Sequence, residues 1–287
     1  MGFKHMEKTS NNPLNKYFRQ PAIYMNLPSK GTFWSQGSLE LPVTGEIPVY
    51  PMTARDEITI RTPDALMNGS SVVDVIHSCC PVIKDAWKMP SVDVDAVLIG
   101  IRIASYGHDM NVDTQCPGCQ EENSNSVDLR NILGTISCPD FSKTVPALEL
   151  KIKLKPQAFF GVNRQNTVNF EEQKIMEALS NADLPAEDKA AQVSQSMDRL
   201  IDLSISAVCD STEYVELPDG HRVTEYDFIS DFYKNSDAAI MKAVQNQLSE
   251  YAKESAIKNQ KVRCSSCDTE YEVPLEFDYA NFFAVGS

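Results

Sequence analysis

The sequence predicts an α+β chain: a mainly helical domain with short antiparallel strands, a split four-cysteine element of zinc-ribbon type and an extended N-terminal arm. Three observations carry this. Apolar residues recur at helical spacing through several stretches between positions 70 and 257, while strict alternation is confined to brief runs such as 148–155. Two Cys-x-x-Cys pairs, Cys116/Cys119 and Cys264/Cys267, each sit between strand-like segments. The first fifty positions scatter Tyr17, Phe18, Tyr24, Phe33, Trp34 and Tyr50 among Pro13, Pro21, Pro28, Pro42 and Pro48, a spacing with neither period. On these signals the chain divides into residues 1–45, the arm; 46–155, a helical core with the first cysteine pair; 156–260, a helical insertion with a hairpin; and 261–287, the second pair with a C-terminal strand.

The arm's prolines exclude helix and remove ladder donors, so it is expected to be extended. Thr62-Pro63-Asp64 supplies a cap, a first-turn proline and an acidic residue, and Asn68-Gly69 stops the short helix they begin. Ser70-Ser71 caps the next helix, whose inner face carries Val72, Val75, Ile76 and Cys79 before Pro81 closes it. A third helix covers 92–106, with Val94, Val97, Leu98 and Ile101 in one stripe and Gly107 at its end. Asp95 and Arg102, beside that stripe, read as a partly buried structural pair. A strand over 111–115 leads into Cys116, and 148–155 alternates as a strand with one wet face. Helical spacing returns over 166–179 and 187–208. Tyr214-Val215-Glu216-Leu217, the turn Pro218-Asp219-Gly220 and Arg222-Val223-Thr224 make a hairpin. Helices over 225–233 and 236–257 then carry the chain to Cys264.

Composition excludes several classes of function. With 287 residues, 42% apolar and 23% charged, the chain can bury a sizeable core and is neither collagen-like nor low-complexity. No apolar run reaches the roughly 18 residues that a membrane span requires. Met1-Gly2-Phe3-Lys4-His5-Met6 lacks the apolar stretch of a signal peptide, so a reducing cytoplasm is expected. Twenty-six Lys and Arg against forty Asp and Glu leave a formal net charge of −14. Gripping phosphates needs a basic surface, so no nucleic-acid partner is expected.

The eight cysteines are the most informative residues. In a reducing compartment their even number implies no disulfides. Cys79, Cys80, Cys138 and Cys209 lie in apolar surroundings and read as small core residues. The other four repeat one pattern: strand, two-residue knuckle, polar turn, strand. Two such knuckles face to face bring four thiolates to one point, the grammar of a structural zinc site at Cys116, Cys119, Cys264 and Cys267. Cys119 and Cys264 are 145 positions apart, against roughly 15–20 in a familiar ribbon. Closing that loop costs only about 1.2 kcal/mol more than closing one of about 35 residues, well below the ~10 kcal/mol of structural zinc binding. Three rivals stand beside this reading. A thioredoxin-like motif would need an amphipathic helix after Cys119, where Gln120-Glu121-Glu122-Asn123-Ser124-Asn125-Ser126 has no apolar face. A catalytic zinc would bring His or carboxylate ligands and an open position. Two pairs of metal-free thiols remain the third.

No catalytic constellation is expected. The sequence has no phosphate-binding glycine loop, dinucleotide fingerprint or nucleophile elbow. His5, His77, His108 and His221 lie on the arm, a helix, a helix end and a hairpin tip, each a place for a structural or solvated histidine. Asp56 and Glu57, read as neighbours on an extended segment, point to opposite faces and make a poor acid–base pair.

Leu27-Pro28-Ser29-Lys30-Gly31, Arg55-Asp56-Glu57, Thr62-Pro63-Asp64-Ala65-Leu66 with Gly69, and Arg102-Ile103-Ala104-Ser105-Tyr106-Gly107 occur in that order and lead into Cys116-Pro117-Gly118-Cys119. This order resembles the T4-type phage baseplate protein family, which includes hub components and hub-assembly factors of contractile tails. The resemblance covers residues 26–130, and the second knuckle and the 218–220 turn are compatible with it. It implies a non-enzymatic component of the hub region of the virion's tail baseplate, assembled in the host cytoplasm. Its partners would be other baseplate and tail proteins in a symmetric multi-subunit assembly. The alternatives are a hub-assembly chaperone absent from the mature particle, and a zinc-ribbon nucleic-acid binder using Lys151, Lys153, Lys155 and Lys261.

The arm's aromatics complete the expectations. Each can bury about 150–250 Å², and left in water they would make an adhesive tail. Tyr17, Phe18, Tyr24 and Trp34 are therefore the candidate anchors on a neighbouring subunit, the alternative being an arm wrapped on its own domain.

Overall fold

Strand β1 (Ile23–Asn26) pairs antiparallel with β2 (Glu46–Val49), placing Ile23 opposite Val49. β1 lies in the arm expected to be extended, and its partner β2 lies just beyond it; within the arm Pro13–Tyr17 departs from the extended reading as a short 3-10 helix. The pairing is possible because Pro48, opposite Tyr24, occupies a two-stranded sheet in which each strand keeps a free edge. The computed structural model of the chain describes residues 13–62, 69–181, 185–274 and 282–283. The short helix expected from Thr62 to Asn68 lies outside the described residues.

Helix α1 (Ala54–Ile60) corrects the extended reading of Asp56 and Glu57. Thr53 accepts from the Asp56 amide and the Asp56 carboxylate accepts from the Thr53 amide, a reciprocal capping box that starts a helix. Helix α2 (Ser70–Cys79) buries Val72, Val75, Ile76 and Cys79. Helix α3 (Ser91–Tyr106) is the central element, buried along most of its length from Val92 to Arg102. Met25 of β1 lays its sulfur against α3 at Gly100, where an added Cβ would lie 2.5 Å from it, so a larger residue there would make the Met25 side chain move. Arg102 does not pair with Asp95: no ion pair joins them among the described residues. Its guanidinium lies instead over the rings of Tyr106 and Phe282, at 5.3 and 5.5 Å. Positions seven apart lie about two helical turns, or 10.5 Å, from one another along the axis, beyond direct reach of a short Asp side chain.

Hairpin β3 (Asp109–Gln115) and β4 (Glu122–Asp128) follows, then α4 (Leu129–Thr135), capped by Asp128. A first core gathers β1, β2, α1–α4 and Phe159, with Phe282 and Phe283 from the far end of the sequence.

A second core lies under an antiparallel sheet of order β5-β6-β7-β8. Its strands are β5 (Thr144–Ala147), β6 (Leu150–Leu154), β7 (Thr212–Glu216) and β8 (Arg222–Val223). The alternating run begins as a turn, with Leu148 at φ 55, so the strand proper starts at Leu150. Helices α5 (Phe159–Asn181) and α6 (Ala186–Asp210), which follow β6 and precede β7 in the sequence, pack against each other. Helices α7 (Tyr226–Asn235) and α8 (Ala238–Ser255) bring Ile229, Tyr233, Ile240, Val244 and Tyr251 against Ile152, Leu154 and Val215. Strands β9 (Gln260–Arg263) and β10 (Glu270–Val273) form a separate hairpin.

Candidate metal centre

The turn of β3–β4 is Cys116-Pro117-Gly118-Cys119, and the turn of β9–β10 is Cys264-Ser265-Ser266-Cys267. Both knuckles are built alike. The amide of the first cysteine donates to the carbonyl five residues on, Cys116 to Glu121 at 2.9 Å and Cys264 to Thr269 at 3.0 Å. The fourth residue on turns left-handed, Gln120 at φ 64 and Asp268 at φ 57, and donates back to the first cysteine's carbonyl. The second residue on, Gly118 or Ser266, aims its amide at that cysteine's sulfur at 3.4 Å. Each knuckle thus folds its two sulfurs toward one side.

The structure brings all four cysteines expected as ligands together. Their sulfurs lie within 4.8 Å of one another, with Cys116–Cys267 and Cys119–Cys264 at 3.6 Å. A tetrahedron with metal–sulfur bonds of about 2.3 Å has edges of about 3.8 Å, so the arrangement is compatible with a metal site. Cys116 and Cys264 are buried, and Cys119 and Cys267 lie toward the surface. The Ser266 amide draws the Cys264 thiol down, to about 6, and the Thr269 hydroxyl lowers Cys267. Both effects favour the thiolate, the form that binds metal, while Cys119 is raised, the Glu121 amide that lowers it being outweighed by its bonds to the neighbouring thiols.

Sequence reasoning missed the residues that join the knuckles. Asn123, buried on β4, accepts from the amide and hydroxyl of Ser265, both at 2.9 Å. Its amide nitrogen donates to the Glu121 carbonyl at 3.0 Å and the Cys264 sulfur at 3.5 Å. Tyr271 of β10 shares a 2.8 Å hydrogen bond with Thr114 of β3. Gly118 lets the second hairpin approach, since an added Cβ would stand 2.9 Å from the Thr269 hydroxyl. A polar residue in a run of polar residues carries no periodic signal, and none of these contacts was legible.

The arm residues divide. Tyr17, Phe18 and Tyr24 present 73%, 57% and 63% of their surface to solvent, whereas Trp34 packs against the first core and donates its indole N–H to Asp93 at 2.8 Å. The other cysteines behave as core, except that Cys138 is only half-buried. His77 accepts from the Ala86 amide at 3.0 Å. Lys151 pairs with Glu216, Lys153 donates to the Ser142 carbonyl and Lys261 lies opposite Glu272. Among the described residues, a cleft of 440 Å³ between α5, α6 and α8 has Lys155 as its one charged lining residue and is lined by no carboxylate, histidine or thiol.

Comparison with known families matches residues 22–284 to the T4 bacteriophage base plate protein family. The chain belongs to that family. The match contains both knuckles, Tyr24 and Trp34, and begins after Tyr17 and Phe18. Membership in the base plate family supports a structural role in the phage baseplate, in the tail of the virion, with other tail proteins as partners. No helix among the described residues is long and apolar enough to cross a membrane. Neither the curated proteins nor the solved structures gave a match.

Proposed function

We propose that this baseplate protein is a non-catalytic scaffold of the hub region, assembled in the host cytoplasm and clamped by one structural zinc ion at Cys116, Cys119, Cys264 and Cys267. The family match over residues 22–284 carries the baseplate part of this reading. Zinc suits the site because four thiolates complete a tetrahedron and leave no open position for a substrate. Bound there, the ion would supply cross-linking and no reaction. It would tie the β3–β4 hairpin, which adjoins the first core, to the hairpin that follows the second.

The partner surface in this reading is the arm's outward aromatic face, Tyr17, Phe18 and Tyr24, with Trp34 fixing the arm to its own domain. Mass spectrometry of purified virions tests the role: the chain is expected as a constituent at a fixed ratio to the other baseplate proteins. Its absence from the particle would transfer the reading to an assembly chaperone. Elemental analysis of the same material should give one zinc per chain.

A further inference from the structure

The two knuckles are alike up to the fifth residue after the first cysteine, and they differ at the seventh. There the first has Asn123 and the second Tyr271. Tyr271 reaches across to a hydroxyl on Thr114, whereas Asn123 reaches the sulfur of Cys264 itself. Four thiolates exceed the charge of a divalent ion, so the loaded centre is anionic, and each N–H aimed at a sulfur offsets part of that charge. Cys116 receives such a donor from Gly118 of its own knuckle; Cys264 receives backbone donors from Ser266 and Cys267 of its own knuckle and, from the opposite hairpin, the Asn123 side chain.

The Asn123 side chain has no spare capacity. Its oxygen faces two donors on Ser265, and its nitrogen faces a carbonyl and a sulfur. The reverse orientation of the amide would oppose donor to donor and acceptor to acceptor, so its direction is fixed by its surroundings. Buried as it is, it holds Ser265, and with it the second knuckle, at a set position against the first.

We propose that Asn123 is the positioning residue of the metal centre: it orients the Cys264 thiolate and stabilises its charge, so that the half of the site on β9–β10 is set before the ion arrives. This rests on the zinc reading above. Outer-sphere partners of this kind change metal affinity by roughly 10–100-fold.

The test uses the full chain loaded with cobalt, whose sulfur-to-metal charge-transfer absorption reports the thiolates, together with zinc affinity by chelator competition. Three variants are compared. Asn123→Asp keeps an acceptor for Ser265 but puts an oxygen where the N–H faced the sulfur. Asn123→Ala removes the side chain. Tyr271→Phe breaks the other cross-hairpin bond without touching a sulfur. Both Asn123 variants should keep a tetrahedral cobalt spectrum, lose roughly 10–100-fold in zinc affinity and move the charge-transfer band to longer wavelength, because a sulfur without its donor gives up an electron more easily. Tyr271→Phe should leave the band where it is. Asn123 variants equal to wild type in affinity and band position would overturn the inference while leaving the zinc reading intact. A wild-type chain that takes up no metal would overturn both.

Discussion

The indole nitrogen of Trp34 donates at 2.8 Å to a carboxylate oxygen of Asp93, a residue with no solvent-exposed surface at the start of the central helix α3. The same carboxylate accepts from the Ser29 amide at 2.8 Å and the Ser29 hydroxyl at 2.5 Å. One buried acid therefore gathers two points of the arm onto the first core. Trp34→Phe keeps an aromatic ring but removes the N–H donor with part of the indole, leaving the buried Asp93 carboxyl short of a partner. Urea denaturation should show a loss of about 1–3 kcal/mol, against less than about 0.5 kcal/mol for the exposed Tyr17→Ala. Equal effects at both positions would contradict the division of the arm into inward and outward aromatics.

Asp93 also makes a pH prediction. Burial pushes its carboxyl above the ordinary value, and the donors from Ser29 and Trp34 only partly oppose this. A carboxyl raised in the folded state binds its proton more tightly there than in the unfolded chain. Its favourable contribution is complete below the ordinary value near 3.8 and is lost as pH rises through the raised one. Relative to Asp93→Asn, the wild-type chain should gain stability as pH is lowered from 7 toward 4. The Trp34→Phe penalty should shrink over the same range, since the lost donor served the charged form. Denaturation curves at pH 7, 5.5 and 4 measure both slopes, and a penalty that grows in acid would refute the assignment.

The meeting of the four cysteines was legible in the sequence, and the way their knuckles are held together was not. Cys-x-x-Cys is a local pattern whose spacing fixes the direction of both sulfurs, so the pairing of two knuckles could be inferred across 145 positions. Asn123, Thr114 and Tyr271 act through contacts between hairpins distant in sequence, which no local period encodes. The same contrast runs through the fold. The stripes of α2 and α3 follow from 3.6-residue periodicity. Helix α1 escaped because one turn of capping chemistry, Thr53 with Asp56, makes it rather than a stripe. Strands β1 and β2 escaped because each has four residues and β2 contains a proline.

Cys116→Ser should lose the zinc and destabilise the chain, because a three-thiolate remnant holds the ion far less tightly and the two hairpins are then joined only by hydrogen bonds such as Thr114–Tyr271. Cys209→Ser, buried in the second core away from the site, should keep one zinc per chain. Elemental analysis with a thermal melt before and after chelator distinguishes them. A native, metal-free chain whose melting is indifferent to chelator would sink the zinc centre.

The outward face of the arm calls for a test that leaves its inward anchorage alone. Arg19 follows Phe18 directly, and its guanidinium donates to the Pro51 carbonyl at 2.6 Å and to the Ser78 carbonyl and hydroxyl, each at 2.8 Å. It also lies 3.4 Å from the Asp56 carboxylate that caps α1. Deleting residues 2–22 would remove this clamp together with Tyr17 and Phe18, so lost stability and lost assembly could not be separated. The triple variant Tyr17→Ala/Phe18→Ala/Tyr24→Ala removes only side chains that are more than half exposed. In the free chain it should melt within a few degrees of wild type, since surface changes of this kind are usually within about 0.5 kcal/mol each. If the three rings are buried on a neighbouring tail protein, each contributes apolar area at about 25 cal/mol per Å² to that contact, and the variant should fail to enter particles when it competes with wild-type chain during infection. Incorporation at the wild-type ratio would show that the arm's aromatics serve no contact in the assembled tail.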